Sequence, residues 1–340
     1  RRDLEFSVVP VRTTPISSIF FGGGTPSLFS ATSIATLLHE LRRHLHFAPD
    51  IEITLEANPG SFEVEKFKDY RQAGVNRLSL GVQSFSDDAL KRLGRVHDAT
   101  QAQHAIRTAL TLGFNSINVD LMFGLPQQSI TEALADLACA VALSPTHISW
   151  YQLTLEPNTY FHQYPPVLPE EDVLCHMQTE GQELLAAAGF VQYEVSAYAR
   201  AGFKCRHNLN YLSFGDYLGL GAGAHGKLSG SPPFAIQRTR KVKHPRDFIR
   251  HAGTARSTVT EDISTPKQRI FEFLLNGLRL NTGIYLEDFA PRTGLPTQLL
   301  LQRCQHALSK GLLAQDSGRL YPTELGKRFL NDTLALFLDD

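Results

Sequence analysis

Polar residues close one apolar run after another in the first half of this chain. Ile16–Phe21 ends in Gly22-Gly23-Gly24-Thr25-Pro26, and Ile51–Leu55 ends in Glu56-Ala57-Asn58-Pro59. Asn76–Leu80 leads into Gly81-Val82-Gln83-Ser84-Phe85, and Asn115–Val119 into Asp120 and then Leu121-Met122-Phe123-Gly124-Leu125-Pro126. His147–Tyr151 leads into Gln152, Thr154 and Glu156. Glu56 and Asp120 are suited to accept hydrogen bonds from sugar hydroxyls or an amino group; a solvated carboxylate is the competing reading for each. The glycines let a ligand approach the backbone and leave N–H groups free to donate, although a tight turn needs the same residues. The run is not Gly-x-Gly-x-x-Gly, which argues against a Rossmann phosphate loop. Gln83 is placed to point into a shared mouth. Arg95, just past a short helix, is suited to pair bidentately with a carboxylate or to sit on the surface.

A second group lies further on. Cys205-Arg206-His207-Asn208-Leu209-Asn210-Tyr211 combines a thiol, an imidazole and an aromatic ring, and reads as a loop. His207 or Cys205 could reach a metal or a haem iron; a histidine that only hydrogen-bonds is the alternative. His225 ends the run Gly219-Leu220-Gly221-Ala222-Gly223-Ala224, where close backbone packing is the favoured purpose.

These residues must be held by regular elements. Apolar spacing and caps predict helices over Ala31–His46 after Ser30, Phe62–Ala73 after Ser61, a short one from Ser86 to Leu93, then Thr100–Leu112 and Ser129–Leu143. Alternating with five strands, they predict right-handed βαβ units and a parallel sheet whose strand C-termini open on one face, where ligands bind. Tyr160–Pro169 reads as a surface excursion, Glu170–Ala188 as a long helix and Tyr193–Tyr198 as a strand. Ser231–Thr258 reads as a linker with a short helix. Pro266–Leu280, Leu286–Phe289, Pro296–Lys310 and Thr323–Phe337 read as helices, with a hairpin turning at Asp316-Ser317-Gly318. The division expected is 1–157, 158–230 and 231–340.

The chain has 340 residues, 42% of them hydrophobic and 20% charged, so it can build an ample core. A net charge of −1 gives no bulk pull toward nucleic acid or an anionic membrane. No apolar run is suited to span a bilayer, and Arg1-Arg2-Asp3-Leu4-Glu5 has no apolar stretch after it that would make a signal peptide. Cys139, Cys175, Cys205 and Cys304 are scattered, which suits a reduced, cytoplasmic setting. The chain starts without Met and runs quickly into a strand, so it reads as part of a longer one.

Phe21-Gly22-Gly23-Gly24-Thr25-Pro26-Ser27, Glu56-Ala57-Asn58-Pro59, Gly81-Val82-Gln83-Ser84-Phe85, Asn118-Val119-Asp120-Leu121-Met122-Phe123-Gly124-Leu125-Pro126, His207-Asn208 and Gly221-Ala222-Gly223-Ala224-His225-Gly226-Lys227 together resemble the radical SAM family of oxygen-independent coproporphyrinogen III oxidase-like proteins, most of all its haem-chaperone branch. The resemblance runs over nearly the whole chain. It implies an α/β fold: a partial (β/α)6 barrel lacking its first unit, with a helical, winged-helix-like C-terminal domain. It implies that Gly22, Gly23, Gly24, Thr25, Glu56, Gln83, Arg95, Asp120 and Thr154 line an S-adenosylmethionine site, and that His207, Asn208 and Tyr211 contact haem. The family's [4Fe-4S] cluster sits on a C-x-x-x-C-x-x-C loop ahead of the glycine run. No such loop occurs here, so cluster binding is expected only of a longer form, and this chain alone is expected to be inactive in radical chemistry. The implied partners are haem and a haemoprotein acceptor, including a membrane one, with no nucleic acid. The runner-up activity is coproporphyrinogen III oxidation, the radical decarboxylation of two propionates.

Overall fold

The computed structural model describes residues 1–8, 11, 13–230 and 234–338. The chain divides into two compact units, residues 17–39 with 49–204, and residues 1–16 with 40–48 and 205–340.

The first unit is built on a seven-stranded sheet in the order β1-β2-β3-β4-β5-β7-β6. Its strands are β1 (Ile16–Phe21), β2 (Phe47–Ala57), β3 (Arg77–Gln83), β4 (Ser116–Phe123), β5 (His147–Gln152), β6 (Val191–Gln192) and β7 (Ala197–Ala199). β2 through β5 run parallel, each to the next. β7 pairs antiparallel with β5 and with β6. The strand expected over Tyr193–Tyr198 is therefore a hairpin. Its turn forms because the Glu194 carboxylate accepts from both the backbone N–H (3.2 Å) and the hydroxyl (3.1 Å) of Ser196.

Up to the irregularity at Gln83, residues of β2 to β5 alternate between the two faces of this sheet. Ile53, Leu55, Leu78, Leu80, Ile117, Val119, Ile148 and Trp150 are buried and point one way. Helices cover that face. Helix 130–142 starts with a capping box in which Ser129 and Glu132 exchange hydrogen bonds, and it buries Ala133, Asp136, Leu137 and Ala140 at helical spacing. Helix 171–187 carries Gly181 against the Trp150 ring, where a Cβ would collide with it. Each fully buried aliphatic or aromatic side chain on this face contributes about 1.5–3 kcal/mol.

The helix expected over Phe62–Ala73 is broken into Ser61–Val64 and Phe67–Ala73, and Ser61 is not its cap. Phe67 and Tyr70 are fully buried, and the Tyr70 hydroxyl donates to the carbonyls of Ser27 and Phe29. Those tertiary demands override the local propensity.

The second unit holds two small antiparallel sheets. β8 (His225–Ser229), β9 (Ile236–Lys241) and β10 (Thr258–Asp262) form one, in the order β10-β9-β8. The stretch expected as a linker, Ser231–Thr258, thus supplies β9 and leads into β10 besides the short helix Pro245–His251; residues 231–233 lie outside the described residues. Pairing to β8 satisfies the backbone of the polar run 236–241, which carries little apolar patterning of its own. Helices 266–277, 286–293 and 297–309 precede β12 (Leu313–Asp316) and β13 (Arg319–Pro322), with β11 (Ile284–Tyr285) beside β13. Phe273, Phe289, Leu300 and Leu320 form their core. The helix expected over Thr323–Phe337 breaks at Phe329, whose ψ of 46° is not helical. Among the described residues, no helix is long and apolar enough to cross a membrane.

Candidate functional site

The other face of the seven-stranded sheet is polar. Register aligns Glu56, Ser79, Asn118 and His147 across β2 to β5, with Asp120 beside Ser149 further along. At the C-terminal ends of these strands lies a cavity of about 220 Å³. Gly24, Thr25, Glu56, Asn58, Ser79, Gln83, Arg95 and Asp120 are among its lining residues. It is smaller than the roughly 300–1,000 Å³ typical of a small-molecule site. A separate cleft of about 230 Å³ at Pro59, Val64 and His104 exposes only apolar surface and is no rival for the chemistry.

Each lining group has a local cause. Gly23 and Gly24 take φ of 82° and 58°, left-handed values that favour glycine. This turn aims the Gly23 N–H at Glu56, which accepts at 3.1 Å. Gln83 sits where the β3–β4 register shifts, at φ 72°, unusual for a residue with a side chain. Its carbonyl oxygen accepts from the Tyr151 hydroxyl at 2.9 Å. The loop after it is fixed by Asp136, which accepts from the Ser84 hydroxyl and the Phe85 N–H, each at 2.6 Å. Arg95 follows helix 87–92; its N–H donates to Leu90. His97 is buried against the Val82 carbonyl at 3.0 Å. Burial pushes its imidazole below the usual value.

Asp120 is the most heavily bonded group. Asn118 Nδ2 donates to its Oδ1 at 2.8 Å, and the Ser79 hydroxyl donates to its Oδ2 at 3.2 Å. Burial still raises its proton affinity above the ordinary carboxylate value. Glu56 is raised too, first by burial and then by the charge of Asp120, while the Gly23 N–H opposes the shift. Two crowded carboxylates beside an arginine and an amide make a receptor for hydroxyl and ammonium donors.

The structure therefore brings Gly24, Thr25, Glu56, Gln83, Arg95 and Asp120 to one cavity, and packs Gly22 and Gly23 against Glu56. Thr154 is not among the lining residues. Leu153 extends the sheet through its N–H to Phe123 and buries its side chain with Ala89 and Leu125, which leaves Thr154 exposed. His207, Asn208 and Tyr211 belong to the second unit and are half-buried. Their segment is not the expected loop but the helix Arg206–Leu212. It contains no glycine or proline to stop it, and His207 and Tyr211, four residues apart, meet edge to face with centroids 5.5 Å apart. Cys205 is the buried residue preceding that helix. Among the described residues, no group of three or more His, Cys, Asp or Glu is placed to hold a metal ion.

Ser79, Asn118, His147 and Tyr151 were not singled out from sequence. The signal that could have found them was the alternation itself: Leu78-Ser79-Leu80, Asn118-Val119-Asp120 and His147-Ile148-Ser149 put a polar residue at every second place in strands that are otherwise apolar.

Residues 11–138 match the radical SAM superfamily, and residues 264–329 match the HemN C-terminal domain. The heme chaperone HemW of Haemophilus influenzae is 48% identical over 99% of this chain and 87% of its own length. That of Escherichia coli is 47% identical over 99% of this chain and 88% of its own. HemW of Bacillus subtilis is 35% identical over 96% of this chain and 86% of its own. Among solved structures, coproporphyrinogen III oxidase (HemN) from Escherichia coli superposes with a TM-score of 0.78 over 95% of this chain and 78% of that one. At 21% identity this last likeness is one of fold.

Proposed function

We propose, on the premise that this chain belongs to the HemW family of the radical SAM superfamily, that its barrel unit binds S-adenosylmethionine and that the protein carries haem to a haemoprotein acceptor. The observation that supports the reading is the convergence of Glu56, Gln83, Arg95 and Asp120 on one cavity. The donor set suits the ligand. Asp120 and Glu56 offer acceptors to ribose hydroxyls and an ammonium group, and Arg95 offers a fork for a carboxylate. Bound beside a [4Fe-4S] cluster, S-adenosylmethionine is the superfamily's radical source. Cys139, Cys175, Cys205 and Cys304 have no cluster-ligand spacing, so these residues do not fit that cluster, and no step is assigned to it.

The chain's own contribution at the cavity is to bind and orient. Gly23 fixes Glu56, Tyr151 fixes Gln83, and Asn118 with Ser79 fixes Asp120, so the acceptors are set before a ligand arrives. Haem is cargo, held in this reading at His207, Asn208 and Tyr211 on the helix of the second unit. The coproporphyrinogen III oxidase reading has only the fold in its favour, whereas relatives at 48% and 47% identity carry the chaperone name.

The test is calorimetric binding of S-adenosylhomocysteine to wild type, Glu56→Gln and Asp120→Asn, beside haem titration of His207→Ala by absorbance. Glu56→Gln and Asp120→Asn should each weaken nucleoside binding about tenfold or more, the worth of one charge-assisted hydrogen bond. His207→Ala should change the Soret band and leave nucleoside binding intact. Unchanged nucleoside binding in both carboxylate variants would remove the cavity from the reading.

A further inference from the structure

Asp120 is steadied by residues that do not themselves line the cavity. Asn118 Nδ2 donates to Asp120 Oδ1 and also to the Ser79 hydroxyl, each at 2.8 Å. That hydroxyl in turn donates to Asp120 Oδ2 at 3.2 Å. Both carboxylate oxygens are thus supplied from one amide, directly on one side and through Ser79 on the other. Turned over, the amide would set its own oxygen against the carboxylate and take the Ser79 proton for itself, and both bonds would be lost. Which way the Asn118 amide faces therefore decides how Asp120 is held.

The far side of the amide fixes that choice. Asn118 Oδ1 is 2.6 Å from His147 Nδ1 and accepts from the Ser149 hydroxyl at 3.1 Å. An oxygen there requires the proton of His147 to be on Nδ1. Burial keeps the ring neutral. Its Nε2 is then an acceptor, and the Tyr193 hydroxyl 2.9 Å away must donate to it. The Tyr193 ring meets the imidazole edge to face, with centroids 5.6 Å apart. His147 is level with Asn118 in the β4–β5 register, and Tyr193 comes from the hairpin between β6 and β7. Both are buried, and neither is among the lining residues of the cavity. Polar groups buried this deeply cost the fold unless each is bonded, and a fully bonded network is rigid.

We propose that His147 and Tyr193 are positioning residues for the cavity: hydrogen bonds donated in one direction, from Tyr193 to His147 to Asn118 to Asp120, lock the Asn118 amide and so hold the carboxylate for its ligand. The relay ends on a carboxylate, so no member can reverse without leaving a buried group unpaired. The lone pairs of Asp120 that remain are fixed before a ligand arrives, which suits a hydroxyl or ammonium donor. The effect on affinity rests on the reading that the cavity binds a nucleoside of the S-adenosylmethionine class; the direction of the relay does not.

The experiment reads the relay in two ways. ¹⁵N-histidine labelling gives the His147 tautomer at pH 7.5 from two-bond ¹H–¹⁵N correlations, with His147→Asn identifying the signal. The neutral Nδ1–H form is expected, and Tyr193→Phe should shift its Nε2 resonance. An Nε2–H or doubly protonated ring in wild type overturns the proposal. S-Adenosylhomocysteine affinity is measured by calorimetry alongside. His147→Leu, which removes the donor, should weaken binding about tenfold, and His147→Asn, whose amide can donate in its place, should stay within about threefold of wild type. Beside Asp120→Asn, His147→Leu should cost less than about twofold more, because it acts through Asp120. Losses that multiply, or an affinity unchanged in His147→Leu, overturn the proposal. Should His147→Leu not fold, Tyr193→Phe removes a single hydroxyl: it should weaken binding about threefold alone and not at all beside Asp120→Asn, and equal losses in both backgrounds overturn the proposal. If wild type has the Nδ1–H tautomer but does not bind S-adenosylhomocysteine, the direction of the relay stands and the nucleoside reading falls.

Discussion

Asp136 sits beneath the loop that follows Gln83, and replacing it with asparagine should stabilise the protein at neutral pH. The carboxylate is 5% exposed and has two partners there, the Ser84 hydroxyl and the Phe85 N–H. Burial is the largest influence and drives its pKa from 3.8 up to about 6; the two hydrogen bonds pull it back, and Glu132 pushes it further up. A folded-state pKa above the unfolded one means that the protonated form is the better bound. The stabilising contribution is complete below about pH 4 and is lost as pH rises through about 6. That gap corresponds to about 3 kcal/mol, at about 1.36 kcal/mol per pH unit. An asparagine side chain in its place is neutral at every pH; its amide oxygen can accept from Phe85 and its NH₂ can donate to Ser84. Asp136→Asn should thus match wild type at pH 4 and exceed it by up to about 3 kcal/mol at pH 7.5. Trp150, the single tryptophan, is buried in the same unit and reports urea unfolding by its fluorescence. The comparison must be a difference between the two proteins. His147 is held neutral by burial, and its contribution is lost in the opposite direction, as pH falls below 6.5 toward its depressed folded value. A variant less stable than wild type at pH 7.5 would refute the reasoning, because the carboxylate's hydrogen bonds would then outweigh the cost of burying its charge.

Gly181→Ala should lower the urea midpoint by about 1–3 kcal/mol of stability, since its Cβ would run into the buried Trp150 ring; a midpoint within error of wild type would contradict that packing. Lys227→Met should destabilise the second unit by about 3 kcal/mol, the low end for a broken buried pair because Asp216 is partly solvated. It removes a donor to Asp216 at 2.8 Å and to the Phe214 carbonyl at 2.9 Å, and calorimetry should show one lowered transition while the Trp150 signal keeps its midpoint.

The parts of this fold legible in the sequence are those fixed by local rules. Strand β1 follows from its apolar run, and the helix 130–142 from its capping box. The ends of β2 to β5 were legible as positions, because Glu56, Gln83 and Asp120 stand where an apolar alternation stops. What escaped reading depends on distant partners. β9 has almost no apolar pattern and exists because β8 and β10 satisfy its backbone. Helix 206–212 looked like a loop because its residues carry chemistry, but nothing in them breaks a helix. Thr154 lies outside the cavity because burying Leu153 fixes which way the chain faces after β5.

The two faces of the parallel strands explain why the site could be found at all. A parallel sheet covered on both faces normally reads as continuous apolar runs. Here every second residue is polar, and buried Thr54, Arg77, Asn118 and His147 hold charge or hydrogen-bonding groups where aliphatic side chains would pack at lower cost. The helix-covered face carries the stability, so the other face is free to depart from packing rules, and it does so in successive register layers from Arg77 up to Asp120. Substitutions should divide along the same line. Changes at Leu80, Val119 or Trp150 should act on folding first, whereas neutral isosteres at Glu56 or Asp120 should act on ligand affinity while leaving the fold standing.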